Sequence, residues 1–191
     1  MGRPAFVFED IHTTPRRRMF SLFGIPVYVT PFAWLNPLAL YAGSIALTLV
    51  IYPEASLPVR LGWASIYALL GLLTLFVHSI GHILSGKIAG SAMDSLLLTA
   101  TRQVNIYEGD QSQYSPRVHI TRSLGGPAGN LLAGLAGLVL IAVLSANPPL
   151  VFWTVANLGG GIGALAPVDS VDGGTIMYYL RGRGTGAGSR A

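Results

Sequence analysis

At 191 residues the chain has the length of one domain or one small membrane bundle. Hydrophobic residues make up 51 per cent of it and charged residues only 10 per cent, against about 25 per cent charged in soluble domains, so the composition is that of an integral membrane protein. There is no cysteine, which excludes disulfides and Cys-ligated zinc or iron–sulfur sites, and the net charge of +4 is spread over short polar segments, without interleaved aromatics, in a way that membrane topology explains and nucleic-acid binding does not.

The first 31 residues hold no basic start, apolar run and small-residue cleavage site in succession, so no cleavable signal is expected and the first apolar segment should anchor the chain. Residues 1–19 read as a polar tail. FSLFGIPVYVT (20–30) is apolar and β-branched, as a strand lying at the membrane interface would be. A helical span takes about 20 mostly apolar residues, and four segments qualify: 32–52, 61–86, 120–146 and 150–166. Between the second and third, SLLLTATRQVNIYEG (95–109) partly alternates, with Val104 and Ile106 on one face, and reads as a further strand. Such a strand must pair or lie among headgroups, because irregular backbone cannot face lipid. The fold class is therefore an α-helical membrane protein of about four spans with a small cytoplasmic-side β-sheet or hairpin. The Gly/Arg tail, 181–191, reads as disordered.

Basic residues set the orientation. Arg16, Arg17 and Arg18 precede the first span, and Lys87, Arg102, Arg117 and Arg122 lie between the second span and the start of the third. Arg181, Arg183 and Arg190 follow the fourth, and the two remaining loops hold only Arg60. Both termini and the long middle loop are thus expected in the cytoplasm.

FVHSIGHIL (76–84) carries two histidines four positions apart in an apolar stretch. On a helix His78 and His82 share a face and reach one ion, and ionisable residues inside a bilayer point to function. The structural alternative is that each imidazole bonds a carbonyl of a neighbouring helix. A zinc site needs at least a third ligand. Asp172 in APVDSVDGGTIM is the candidate, since it follows the fourth span on the side where His78 and His82 lie. The two glycines after it would let the backbone turn sharply. Asp169 competes with it from a lower rank. His12 and His119 fall in expected loops, where solvation is the simpler reading. In the third span, Ala133 and Gly137 suit close helix approach, and Asn130 is either interhelical glue or a substrate-binding amide. GIGALA (161–166) imitates a dinucleotide fingerprint but lacks the surrounding βαβ unit, so its glycines are assigned to close packing or local unwinding.

HSIGH (78–82), GGPAGN (125–130) and APVDSVDGG (166–174), in this order on successive spans, resemble the three motifs of the site-2 protease family of intramembrane zinc metalloproteases, in its compact bacterial form. The resemblance covers residues 20–180 and includes LFGIPVYV as the family's strand before its first helix; no PDZ or CBS domain is present in it. It implies zinc held by His78, His82 and Asp172 in a bacterial cytoplasmic membrane. It also implies a substrate-binding role for Asn130, Gly126 and Pro167, and a sheet including 95–109 that takes an unwound transmembrane substrate by strand addition.

Three positions depart from the family pattern. The asparagine expected before Pro167 is Ala164, the second proline is Ser170, and the glutamate of HExxH is Ser79. That glutamate carries the proton from water to the leaving amine, and serine has neither its basicity nor its reach. Loss of general acid–base help forfeits about 10²–10⁴ in rate. The expected function is a catalytically impaired pseudoprotease that binds transmembrane segments or partner proteins. The alternative is an active intramembrane zinc endopeptidase with an unusual base, of which Asp169 is the nearest candidate. A transport role lacks a polar path across the outer halves of the helices.

Overall fold

The computed structural model describes Glu9, residues 13–169 and residues 171–182. His12, Ser170 and most of the expected C-terminal tail lie outside the described residues. Among the described residues five α-helices and one four-stranded sheet make up the fold: β1 (Arg17–Leu22), β2 (Ile25–Val29), α1 (Leu35–Ile51), α2 (Leu57–Ile88), β3 (Ser95–Leu98), β4 (Gln103–Ile106), α3 (Pro116–Leu144), α4 (Pro148–Ala164) and α5 (Asp172–Leu180). Four of the helices fall on the four expected spans. Of these, α2 and α3 are long and apolar enough to cross a membrane, while α1 and α4 have 17 residues each, the short end of the usual range. At about 1.5 Å per residue α2 is roughly 48 Å long, well beyond a hydrocarbon core of about 30 Å.

The stretch 20–30, expected as one strand, is a hairpin. Phe23 and Gly24 form its two-residue turn with φ of 49° and 82°, and both central residues at positive φ give the turn whose twist matches antiparallel strands. The first strand begins at Arg17, inside the segment expected as a tail. The sheet runs in the order β1-β2-β3-β4, with β2 and β3 parallel and the outer pairs antiparallel. Parallel neighbours need a long crossover, and here α1 and α2 supply it. Ile25, Val27, Met93 and Leu96 of the sheet region bury themselves against Ile83. The sheet is thereby fixed beside the histidine-bearing end of α2.

Helices α2 and α3 cross at glycines. A Cβ added to Gly81 would collide with the Gly125 carbonyl, and one added to Gly125 with Ser85. Further along α3, Gly134 abuts Leu158 and Gly137 abuts Thr154 of α4, the close approach expected for Gly137 in lipid. Gly161 packs on Leu131 and the Pro127 carbonyl. No unwinding occurs within this stretch up to Ala164, where α4 ends. Asn157 of α4 is fully buried and donates to Thr74 of α2 at 3.1 Å, tying the third pair of helices together.

Candidate metal centre

His78 and His82 project from one face of α2, and Asp172 meets them from the first turn of α5. The two Nε2 atoms lie 3.0 Å apart, and the Asp172 carboxylate oxygens lie 3.2 Å from His78 Nε2 and 3.3 Å from His82 Nε2. Ligand atoms about 2.0–2.1 Å from a tetrahedral zinc stand roughly 3.3 Å from one another, so the three are spaced as the edges of such a site. Among the described residues these three are the group of His and acidic side chains close enough to share an ion.

Hydrogen bonding at His82 also fits a metal. Its Nδ1–H donates to the Arg122 carbonyl at 2.8 Å, which leaves the Nε2 lone pair directed at the site. The structural alternative, an imidazole bonded to a neighbouring helix, thus holds for one nitrogen of His82 and complements ligation by the other. Burial works against the charge on Asp172, but its contacts with the His78 and His82 imidazoles prevail and bring its pKa down to about 2. The carboxylate is ionised, as a ligand must be.

Gly126 lies directly beneath the imidazoles. A Cβ there would run into Nε2 of His82 and the ring of His78, so α3 can approach the pair only without a side chain at this position. Pro127 follows, and with no N–H it leaves the Ser123 carbonyl without its helical donor. Asn130, one turn on, is buried with Nδ2 3.5 Å from His78 Nδ1, while its Oδ1 has no partner among the described residues. Pro167 is exposed on the connection between α4 and α5.

The glycines after Asp172 do not mark a sharp turn away from the site. They open α5, and a side chain on Gly173 would strike the carbonyls of Leu165 and Ala166. Their smallness lets α5 tuck against the end of α4. From the other side His119 holds α5. This residue, expected in a solvated loop, sits in the first turns of α3, buried, with its ring stacked on Tyr179 at 4.2 Å and 5°. Its Nδ1 accepts from Arg122 at 2.8 Å, and its Nε2–H donates to the Gln111 carbonyl at 3.1 Å. Arg122 is buried as well, bonded to Ser91 and Gln111, with its guanidinium 3.9 Å from the centre of the Tyr107 ring. Burial raises the Tyr107 pKa, and the neighbouring Arg122 charge partly offsets that rise. In the sequence Arg122 counted only toward the orientation of the spans and Tyr107 was passed over, because two of the partners of Arg122 are 31 and 11 residues away, beyond any helical or strand period.

A cavity of about 510 Å³ opens over the three candidate ligands. Ser79 reaches it, almost fully buried, and donates its hydroxyl to the Gln103 side-chain oxygen. Gln103, Val104 and Asn105 of β4 line the cavity, and among the described residues β4 pairs only with β3, so no strand covers its outer edge there. Asp169 and Asp172 are the acids in the lining, and Ala164 is there too.

No protein-family model matches the chain, and no curated protein does. Among solved structures it is similar to the Site-2 Protease from Methanocaldococcus jannaschii, with a TM-score of 0.63 and 19% sequence identity, over 88% of this chain and 73% of that one. The chain therefore has a site-2-protease-like fold.

Proposed function

We propose that the chain is a membrane-embedded zinc-site protein of the site-2 protease type that binds transmembrane segments or partner proteins and cuts them poorly or not at all. Four spans, α1 to α4, would place the site near the cytoplasmic surface, with both termini on that side as the arginines suggest. His78, His82 and Asp172 would hold zinc. Bound there, zinc supplies a polarised peptide carbonyl and water that is reactive at neutral pH.

The observation that carries the reading is the Ser79–Gln103 contact. At the position where a hydrolase of this type has a glutamate, a hydroxyl donates to an amide, and neither group accepts a proton at neutral pH. What the chain keeps is recognition. The free edge of β4 offers main-chain N–H and C=O groups to an extended segment, and the cavity beside it ends at the three candidate ligands. Asn130 and Gly126 act on the imidazoles in this reading, so their contribution to substrate binding is indirect.

The competing reading is a working endopeptidase, and the place of Asp169 in the cavity lining favours it. Metal content and cleavage of a synthetic transmembrane helix, measured on one preparation, separate the two. The expected result is about one zinc per chain, lost in His82→Ala, with no cleavage. Cleavage by the native chain that disappears in both His78→Ala and Asp169→Asn would establish the protease instead. Equal zinc in the native chain and His82→Ala would remove the metal site from both readings.

A further inference from the structure

A second large cavity, of about 690 Å³, lies against the first. It runs between β1, the segment that leads from β2 into α1, and the middle of α2. Met19, Trp34, Leu72 and Phe76 give it an apolar wall. Arg16, Arg17 and Arg102 stand around it, and no acidic side chain among the described residues is in the lining. Among the described residues the ion pairs are those of Asp172 with the two histidines, so none of these three guanidinium groups is paired with a described carboxylate. Arg16 only overlies the Tyr28 ring, at 5.5 Å. Arg102 and Gln103 belong to both cavities.

Three like charges around one apolar hollow repel one another, and an anion among them would relieve that repulsion. A free anion would leave the apolar wall in water, and a neutral chain would leave the arginines unmatched. An amphiphile with an anionic head satisfies both. We propose that this cavity binds an anionic phospholipid, with its phosphodiester among Arg16, Arg17 and Arg102 and an acyl chain along Met19, Trp34, Leu72 and Phe76. The inference rests on the membrane placement proposed above, where a basic hollow on the cytoplasmic side meets anionic headgroups. It adds a ligand site distinct from the three candidate zinc ligands. The headgroup would also lie beside Gln103, the residue that holds Ser79.

The test uses the full chain. Carbonate extraction of membranes comes first: recovery in the soluble fraction would end the membrane reading and this proposal with it. Protein retained in the membrane is then stripped of lipid in a neutral detergent and titrated with phosphatidylglycerol, with phosphatidylcholine of the same acyl chains, and with inorganic phosphate. Bound ligand is counted by native mass spectrometry. One phosphatidylglycerol should be held roughly 10- to 100-fold more tightly than phosphatidylcholine, as three basic side chains at one headgroup would give. The triple change Arg16→Gln, Arg17→Gln, Arg102→Gln should abolish that preference, while Arg18→Gln, Arg117→Gln, Arg181→Gln should keep it. Equal loss in both triples would mean surface charge alone and would overturn the proposal. So would equal binding of the two lipids, or phosphate bound as tightly as phosphatidylglycerol; either result would leave the membrane reading standing.

Discussion

Asn130 turns its amide nitrogen toward His78 Nδ1 and leaves its carbonyl oxygen buried without a partner, an arrangement that suits a His78 carrying its proton on Nε2. A His78 that ligates zinc through Nε2 carries the proton on Nδ1 instead, and that proton needs an acceptor. Rotating the Asn130 amide by half a turn supplies one and uses the oxygen that now has none. Asn130 is therefore expected to act as a metal-positioning residue. Asn130→Ala should weaken zinc binding about 10- to 100-fold, as read by competition with a chromophoric chelator, and Asn130→Asp, whose carboxylate accepts the same proton, should restore most of it. Equal affinity in all three would show that the amide does not orient His78. Gly126 makes a second demand at this scale. Gly126→Ala drives a methyl into both imidazoles, so zinc content should fall sharply and stability by about 1–3 kcal/mol, the usual cost of overpacking. Zinc stoichiometry and thermal unfolding of the same sample check both parts.

Elements divide into those that periodicity announces and those that only tertiary contact makes sense of. The imidazole pair was legible because a spacing of four on a helix is itself a geometric statement, and Asp172 because the second and fourth expected spans, read as running the same way, would end at the same depth. The hairpin at Phe23–Gly24 was not, since a phenylalanine at positive φ carries none of the turn signal of Asn-Gly or Asp-Gly. Helix α5 was missed for a related reason: Gly173 and Gly174 read as a turn, while the structure uses their smallness to bring a helix against the carbonyls of Leu165, Ala166 and Val168. His119 looked like a loop histidine because its stack on Tyr179 spans 60 residues of sequence. At this scale the testable element is β4. Thr99 N–H donates to the Arg102 carbonyl, and antiparallel alternation from that bond turns the backbone of Val104 toward β3 and that of Asn105 toward the free edge. Asn105→Pro should therefore spare the sheet and remove one donor from the docking edge. Binding of an extended test peptide should weaken about 3- to 10-fold, one hydrogen bond's worth, by fluorescence anisotropy, with zinc content unchanged. A loss of zinc as well would mean that β4 supports the metal centre and is not simply an edge.

For the molecule as a whole, the question is whether the fold still holds a protease that lacks one group. Everything around the candidate centre is built to hold position. Glycines bring α2 and α3 together, the Arg122 carbonyl fixes His82, and the His119–Tyr179 stack fixes α5, so the three candidate ligands converge without help from Ser79. If only the proton carrier has been lost, returning it should return activity. Ser79→Glu restores the carboxylate on the face of α2 that meets the cavity, but Gln103 now occupies the space its longer chain needs, and Gln103→Ala alongside it makes room. Cleavage of a transmembrane test helix should then rise by about 10²–10⁴ over the native chain, and adding His82→Ala should abolish the gain. A double variant that binds zinc yet stays inactive would place the defect elsewhere: at Ala164, which lines the same cavity where the family pattern has an asparagine, or in the access route to β4. The two are separable, because Ala164→Asn would rescue the first and leave the second unchanged.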